Sequence, residues 1–140
     1  MKHLIYLFSI SFLLGCKSHA EVNPKQINGY WEIKFVQQKN ETFKSKQSKL
    51  LYDYYFMENN KGIYKKVVPQ LDGSFQTSKS EITFEIIREN GTFLLQFTSP
   101  WSVWYKTIKH VDDQKLVLSH QDRTFHYKRP PNNKIILGDE

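Results

Sequence analysis

Short apolar segments with a period of two residues recur along most of the chain. The stretch 29–37 shows the pattern most clearly, because Trp31, Ile33 and Phe35 alternate with charged residues. Alternation of this kind places apolar side chains on one face of a strand and polar side chains on the other. The pattern therefore predicts a half-buried β-strand that opens the folded domain.

Eight further segments have the same strand character and are separated by residues typical of turns. Asn90-Gly91 is the strongest turn signal, because both central positions of a type I′ hairpin turn need a positive φ. Short connections imply antiparallel neighbours, and closing such a meander removes exposed sheet edges. We expect an all-β fold, a small antiparallel up-and-down barrel of about eight or nine strands. The predicted strands are 29–37, 50–57, 61–68, 74–78, 81–88, 91–97, 101–110, 115–120 and 123–129.

The composition fits a single β domain. The chain has 140 residues, of which 39% are hydrophobic and 15% aromatic, and aromatic side chains suit a pleated, half-buried surface. The net charge of +6 is spread along the chain and accompanies no recognisable nucleic-acid motif, so a nucleic-acid partner is not expected. The single cysteine, Cys16, excludes an intrachain disulfide.

The N-terminal segment has the features of a targeting signal. A basic start precedes an apolar run, 4–14, that is too short to span a bilayer, and Leu13-Leu14-Gly15-Cys16 follows. This segment resembles a bacterial lipoprotein signal with its lipobox. The resemblance implies that 1–15 is a signal peptide and that Cys16 becomes the lipidated N-terminus.

The polar stretch that follows the cysteine predicts a tether, 16–27, ahead of a barrel domain, 28–140. Lys17 stands after Cys16 where some Gram-negative lipoproteins have an aspartate as an inner-membrane retention signal. The expected location is therefore the cell envelope, with the protein anchored in the outer membrane through its lipid.

The barrel interior is the main candidate for function. In 50–57 the even positions carry no charge, whereas the odd positions include Asp53, so we expect the even positions to face inward. An eight-stranded barrel has room for its own side chains or for one small ligand, and both alternatives are open. Tyrosine hydroxyls favour a pocket with polar groups for an amphipathic ligand. The candidate ligand-binding residues are Tyr52, Tyr54, Phe56, Phe84, Phe93, Phe97 and Tyr127.

Two segments leave alternatives open. The polar stretch 38–49 is either a long loop over one barrel end, which we favour, or a weak edge strand. The stretch 101–110 is apolar on both faces, with Trp101 on one and Trp104 and Ile108 on the other. An outer patch formed by Trp104 and Ile108 would suit a protein-interaction module.

Catalytic and metal-binding patterns are weak. Cys16 is assigned to lipidation, and no Gly-x-Ser-x-Gly elbow occurs. His110, His120 and His126 are expected to face solvent, although His120 and His126 flank one predicted hairpin. We therefore expect neither an enzyme, nor a metal site, nor a cofactor.

The strand order and the motif Gly29-Tyr30-Trp31 resemble the lipocalin-like lipoproteins of Gram-negative bacteria. This resemblance implies that Trp31 closes the barrel floor and that Arg129, at the end of the last strand, lies over it as a structural contact. It also implies that the barrel binds a small hydrophobic or amphipathic ligand. The alternative is an envelope protein-interaction module with a filled barrel.

Overall fold

The computed structural model describes residues 21–44 and 51–131. A short 3₁₀ helix, Pro24–Ile27, precedes ten β-strands. Each of the nine predicted strands is present within about two residues of its expected bounds, and one additional short strand lies between the first two. The strands are β1 (Gly29–Gln38), β2 (Glu41–Phe43), β3 (Tyr52–Glu58), β4 (Lys61–Pro69), β5 (Phe75–Thr77), β6 (Ile82–Glu89), β7 (Thr92–Thr98), β8 (Val103–Val111), β9 (Lys115–His120) and β10 (Arg123–Lys128).

Eight of these strands close into an antiparallel barrel. The order around the barrel is β1, β3, β4, β6, β7, β8, β9 and β10, and β10 pairs with β1 to complete it. The short strands β2 and β5 extend the sheet beside β1 and β4. The predicted fold class, an all-β up-and-down barrel, is therefore confirmed.

The tight turns follow local sequence chemistry. Asn90 and Gly91 have φ values of 49° and 75°, as a type I′ hairpin turn requires. Asn59 and Asn60 join β3 to β4 with φ values of 49° and 66°. Asparagine tolerates this left-handed region better than most residues, which explains its use at both turns.

A β-bulge divides β1 into two halves with opposite facing. The register against β10 shifts between Ile33 and Phe35, so Ile33 lies opposite the buried Tyr127 whereas Phe35 lies opposite His126. The Phe35 ring stacks on the His126 ring outside the barrel, with centroids 4.3 Å apart. The expectation that Phe35 shares the inner face with Trp31 was wrong, because the extra residue of the bulge reverses the alternation.

One end of the barrel is closed by the 3₁₀ helix. Ile27 and Trp31 are fully buried there, and the Trp31 indole N–H donates a 2.7 Å hydrogen bond to the Ile27 carbonyl. Val22 also packs against the core. The last residues of the predicted tether, 16–27, are therefore part of the folded domain.

The segment 38–49 is described only in part. Glu41–Phe43 pairs with β1, so these three residues form the edge strand that was the less favoured alternative. Residues 45–50, the C-terminal residues 132–140 and the N-terminal residues 1–20, which include Cys16, lie outside the described part. Among the elements described, none is a helix long and apolar enough to cross a bilayer.

Candidate functional site in the barrel interior

The facing of β3 is the reverse of the sequence prediction. Asp53 is 5% exposed and Tyr55 is fully buried inside the barrel, whereas Phe56 is 49% exposed outside it. Paired residues of neighbouring strands share a face, and Asp53 lies opposite the buried Trp31. Tyr52, Tyr54 and Phe56 therefore do not line the interior, and the expectation that they do was wrong. The charge of Asp53 is tolerated inside because the barrel supplies partners for it.

Two of the tyrosines that were expected inside belong to an aromatic cluster on the outer surface. Tyr30 lies 4.6 Å from Tyr54 and 4.6 Å from Phe75 of β5, measured between ring centroids. Tyr52 lies beside the same Phe75 ring, at 6.5 Å. The β5 strand therefore covers aromatic side chains that would otherwise face water.

Asp53 is the centre of a buried polar cluster. Its carboxylate accepts hydrogen bonds from Lys66 Nζ at 2.6 Å, from the Tyr64 hydroxyl at 3.2 Å and from the Tyr127 hydroxyl at 3.0 Å. Burial raises the pKa of both phenols, so they stay protonated and donate. The Lys66 side chain is 53% exposed, so the cluster reaches from the core to solvent.

Tyr55 adds a third phenol to this interior. Its ring lies 5.1 Å from that of Tyr64 and 5.9 Å from that of Phe84, and burial raises its pKa well above 10.0. Its hydroxyl is buried beside that of Tyr127, which contributes to the raised pKa. We refer to Tyr55, Tyr64 and Tyr127 as the interior tyrosines.

A second cation, Lys106 of β8, also faces the interior. It pairs with the fully buried Leu95 of β7, which fixes its side. Its Nζ lies 4.9 Å from the ring centroid of Phe125, 5.5 Å from that of Phe97 and 5.9 Å from that of Tyr64. Burial lowers the pKa of the ammonium, while the nearby Asp53 carboxylate acts in the opposite direction.

Aromatic and aliphatic side chains form the wall around these polar groups. Phe97 is fully buried and stacks on Trp104, with centroids 5.3 Å apart and ring planes 10° from parallel. Phe84 is 3% exposed, and Phe93 packs partly buried against the core. The predicted inward facing of Phe84, Phe93, Phe97 and Tyr127 is therefore confirmed, although their role as ligand contacts stays a prediction.

The facing of β8 settles the ambiguity of its two apolar faces. Trp104 packs against the core and Ile108 is 3% exposed, so both point inward. The exposed residues are Trp101 at 91%, Val103 at 51% and Tyr105 at 47%. The expectation that Trp104 and Ile108 form an outer patch was therefore wrong. The same alternation places Lys106 inside. Its position midway between the inward apolar residues Trp104 and Ile108 is the sequence pattern from which its facing could have been predicted.

At the closed end the predicted contact between Trp31 and Arg129 is present. The Arg129 guanidinium carbon lies 3.8 Å from the Trp31 ring centroid. The guanidinium donates 2.7 Å hydrogen bonds to the carbonyls of Asn28 and Gln26. Gly29 has a φ of 111°, and a Cβ there would lie 2.6 Å from Arg129 Nη1, so glycine is needed for this approach.

The three histidines are separate from one another. His110 pairs with Asp112 at 2.6 Å, and this bond, with two backbone N–H groups, lowers the pKa of Asp112 to about 2. His120 bonds the Tyr105 carbonyl at 2.6 Å, whereas His126 bonds Gln37 at 2.8 Å. Within the described ranges no three His, Cys, Asp or Glu side chains come together as metal ligands.

Comparison with known proteins gives similarity to solved structures alone. No family model matches the chain, and no curated protein matches it in sequence. A lipocalin-like protein from Bacteroides uniformis has a TM-score of 0.47 and 8% identity, with 75% of this chain and 99% of that one covered. Apocrustacyanin C2 has a TM-score of 0.47 and 13% identity, with 79% of this chain and 64% of that one covered. At these values neither similarity assigns the chain to a family or gives it a ligand.

Proposed function

We propose that this protein binds a small hydrophobic or amphipathic molecule inside its barrel and has no catalytic role. One observation supports this most directly: Lys106 lies among apolar rings of the interior without an ion-pair partner in the described residues. Ligand sites are mostly apolar with a few placed polar groups, and this interior has that composition. A barrel of eight strands has room either for its own side chains or for one small ligand, and the proposal takes the second alternative.

The proposal includes a lipid anchor at Cys16. The supporting observation is the sequence Leu13-Leu14-Gly15-Cys16 after a short apolar run. Val22, which packs against the core, is six positions after Cys16, and six residues span at most about 22 Å. Val22 also precedes the 3₁₀ helix that closes one end of the barrel, so the anchor would hold that end near the membrane. An outer-membrane location in the cell envelope belongs to the same proposal.

Two tryptophans provide a matched test of interior binding. Trp104 faces the interior and Trp101 is 91% exposed, although only three positions separate them. Binding of 1-decanol, decanoate and decylamine to the purified protein would be measured by calorimetry. We expect at least one of the three to bind, Trp104→Ala to weaken that binding by about tenfold, and Trp101→Ala to leave it unchanged. Absence of binding by all three compounds would contradict the proposal.

A protein-interaction module of the envelope is the second candidate function. It is supported by the exposed Val103 and Tyr105 on the outer face of β8 and by the exposed Trp101 two positions before that strand. Apolar side chains grouped on a surface are typical of interaction sites. Replacing Trp101 and Tyr105 with serine would then abolish crosslinking to an envelope protein and leave the binding of decyl compounds intact. Loss of decyl-compound binding in this double variant would contradict the assignment of the two surfaces to separate roles.

A further inference from the structure

We propose that the barrel selects ligands with one carboxylate on an apolar body, and that Lys106 binds this carboxylate. The inference rests on the proposed function, because it names the class of molecule that the interior accepts. The chemistry of the charged side chains around Lys106 leads to this class.

The charged side chains around Lys106 do not balance one another. The charged groups that act on Lys106 are Asp53 and Lys66. Asp53 is already bonded to Lys66 at 2.6 Å and to two phenols, so it does not neutralise Lys106 directly. Two ammonium groups and one carboxylate leave one net positive charge in this part of the interior. A charge removed from water favours a partner of opposite sign, and a ligand with a single negative charge supplies it.

The Lys106 ammonium also needs hydrogen-bond acceptors. Three rings surround Lys106 Nζ, and their faces attract a cation. Rings offer no conventional acceptor, however, and an ammonium has three N–H donors. In the described residues no side chain accepts a hydrogen bond from Lys106. A carboxylate oxygen would accept these donors, and bonds between charged partners are the stronger kind.

The aromatic rings near Lys106 favour an apolar body for the rest of the ligand. Phe97 and Phe125 present apolar surface to the ammonium, and Trp104 stacks on Phe97. An alkyl or aromatic body would bury its own apolar surface against these rings. A cationic ligand is disfavoured, because Lys66 and Lys106 would both repel it.

The test compares three ligands that share one alkyl chain and differ in their head group: decanoate, 1-decanol and decylamine. We expect the protein to bind decanoate about tenfold or more tightly than 1-decanol, and decylamine more weakly than either. Lys106→Met should bind decanoate and 1-decanol about equally and keep its affinity for 1-decanol. Lys109→Met is the matched control, since Lys109 lies exposed on the same strand, and it should behave like the unmodified protein.

The arginine variant separates charge from packing. Lys106→Arg should keep the preference for decanoate, whereas Lys106→Gln should lose it, and circular dichroism would verify that each variant is folded. Equal affinity of the unmodified protein for decanoate and 1-decanol would overturn the inference while leaving the proposed function intact. A preference for decanoate that survives Lys106→Met and Lys106→Gln would overturn it as well. If none of the decyl compounds binds, the proposed function fails and the inference fails with it.

Discussion

Replacing Asp53 with alanine should destabilise the protein strongly, for a reason that the geometry of its cluster specifies. The carboxylate is 5% exposed and is the acceptor for the hydroxyls of Tyr64 and Tyr127. Removing it leaves both buried phenols without this acceptor, and each such group costs about 1–3 kcal/mol. The two phenols together predict a loss of about 2–6 kcal/mol in the free energy of unfolding. The Lys66 ammonium adds little to this loss of stability, because its half-exposed side chain can return to water when Asp53 is absent.

Urea unfolding followed by circular dichroism would measure this loss. Lys66→Met removes the cation and leaves the buried Asp53 carboxylate with its two phenol donors, so it should cost about 1–3 kcal/mol, more than the loss of an exposed ion pair. Adding Tyr64→Phe and Tyr127→Phe to Asp53→Ala should recover much of the lost stability, because the two hydroxyls that lost their acceptor are then absent. A loss below about 1 kcal/mol for Asp53→Ala, or a triple variant as unstable as the single one, would refute this account of the cluster.

Three further predictions concern the core, the pH dependence and the anchor. Trp31→Ala should lower the free energy of unfolding by about 3–5 kcal/mol, measured by urea unfolding, because the indole is fully buried. The interior tyrosines have pKa values raised above 10.0, so above about pH 10 the unfolded chain loses protons that the folded chain keeps. Stability should therefore begin to fall at about pH 9 and continue to fall as the pH rises toward the raised folded-state pKa values, whereas a flat profile would contradict the burial of these phenols. Mass spectrometry of the protein from its native membrane should find a diacylglyceryl group on Cys16, and an unmodified cysteine would exclude the anchor.

Features of the fold that depend on short-range interactions could be predicted from the sequence, and features that depend on distant residues could not. Asn90-Gly91 defines a turn through its own φ values, and strand alternation is likewise local, so the barrel was predictable. The facing of β3 could not be predicted in this way, because Asp53 is accommodated by Lys66 and Tyr127, which lie 13 and 74 positions away in sequence. The rule that charged residues face solvent considers only the strand itself, so it does not take such distant partners into account. The reversal of Phe35 has the same origin, since the bulge in β1 is defined only by its pairing with β10.

Arg129 and Lys106, two of the cations that lie over aromatic rings, illustrate a structural role and a proposed binding role. Arg129 over Trp31 also donates hydrogen bonds to the carbonyls of Gln26, Asn28 and Asp113, so its donors are used within the fold. Lys106 over Phe125 has the same kind of ring contact but no such acceptor among the described residues. A fold that needed only a packed interior would be served by an apolar side chain at this position, because burying an ammonium has a cost and lowers its pKa. An anionic ligand would offset this cost, and for this reason Lys106 rather than Arg129 is the cation that we propose for ligand recognition.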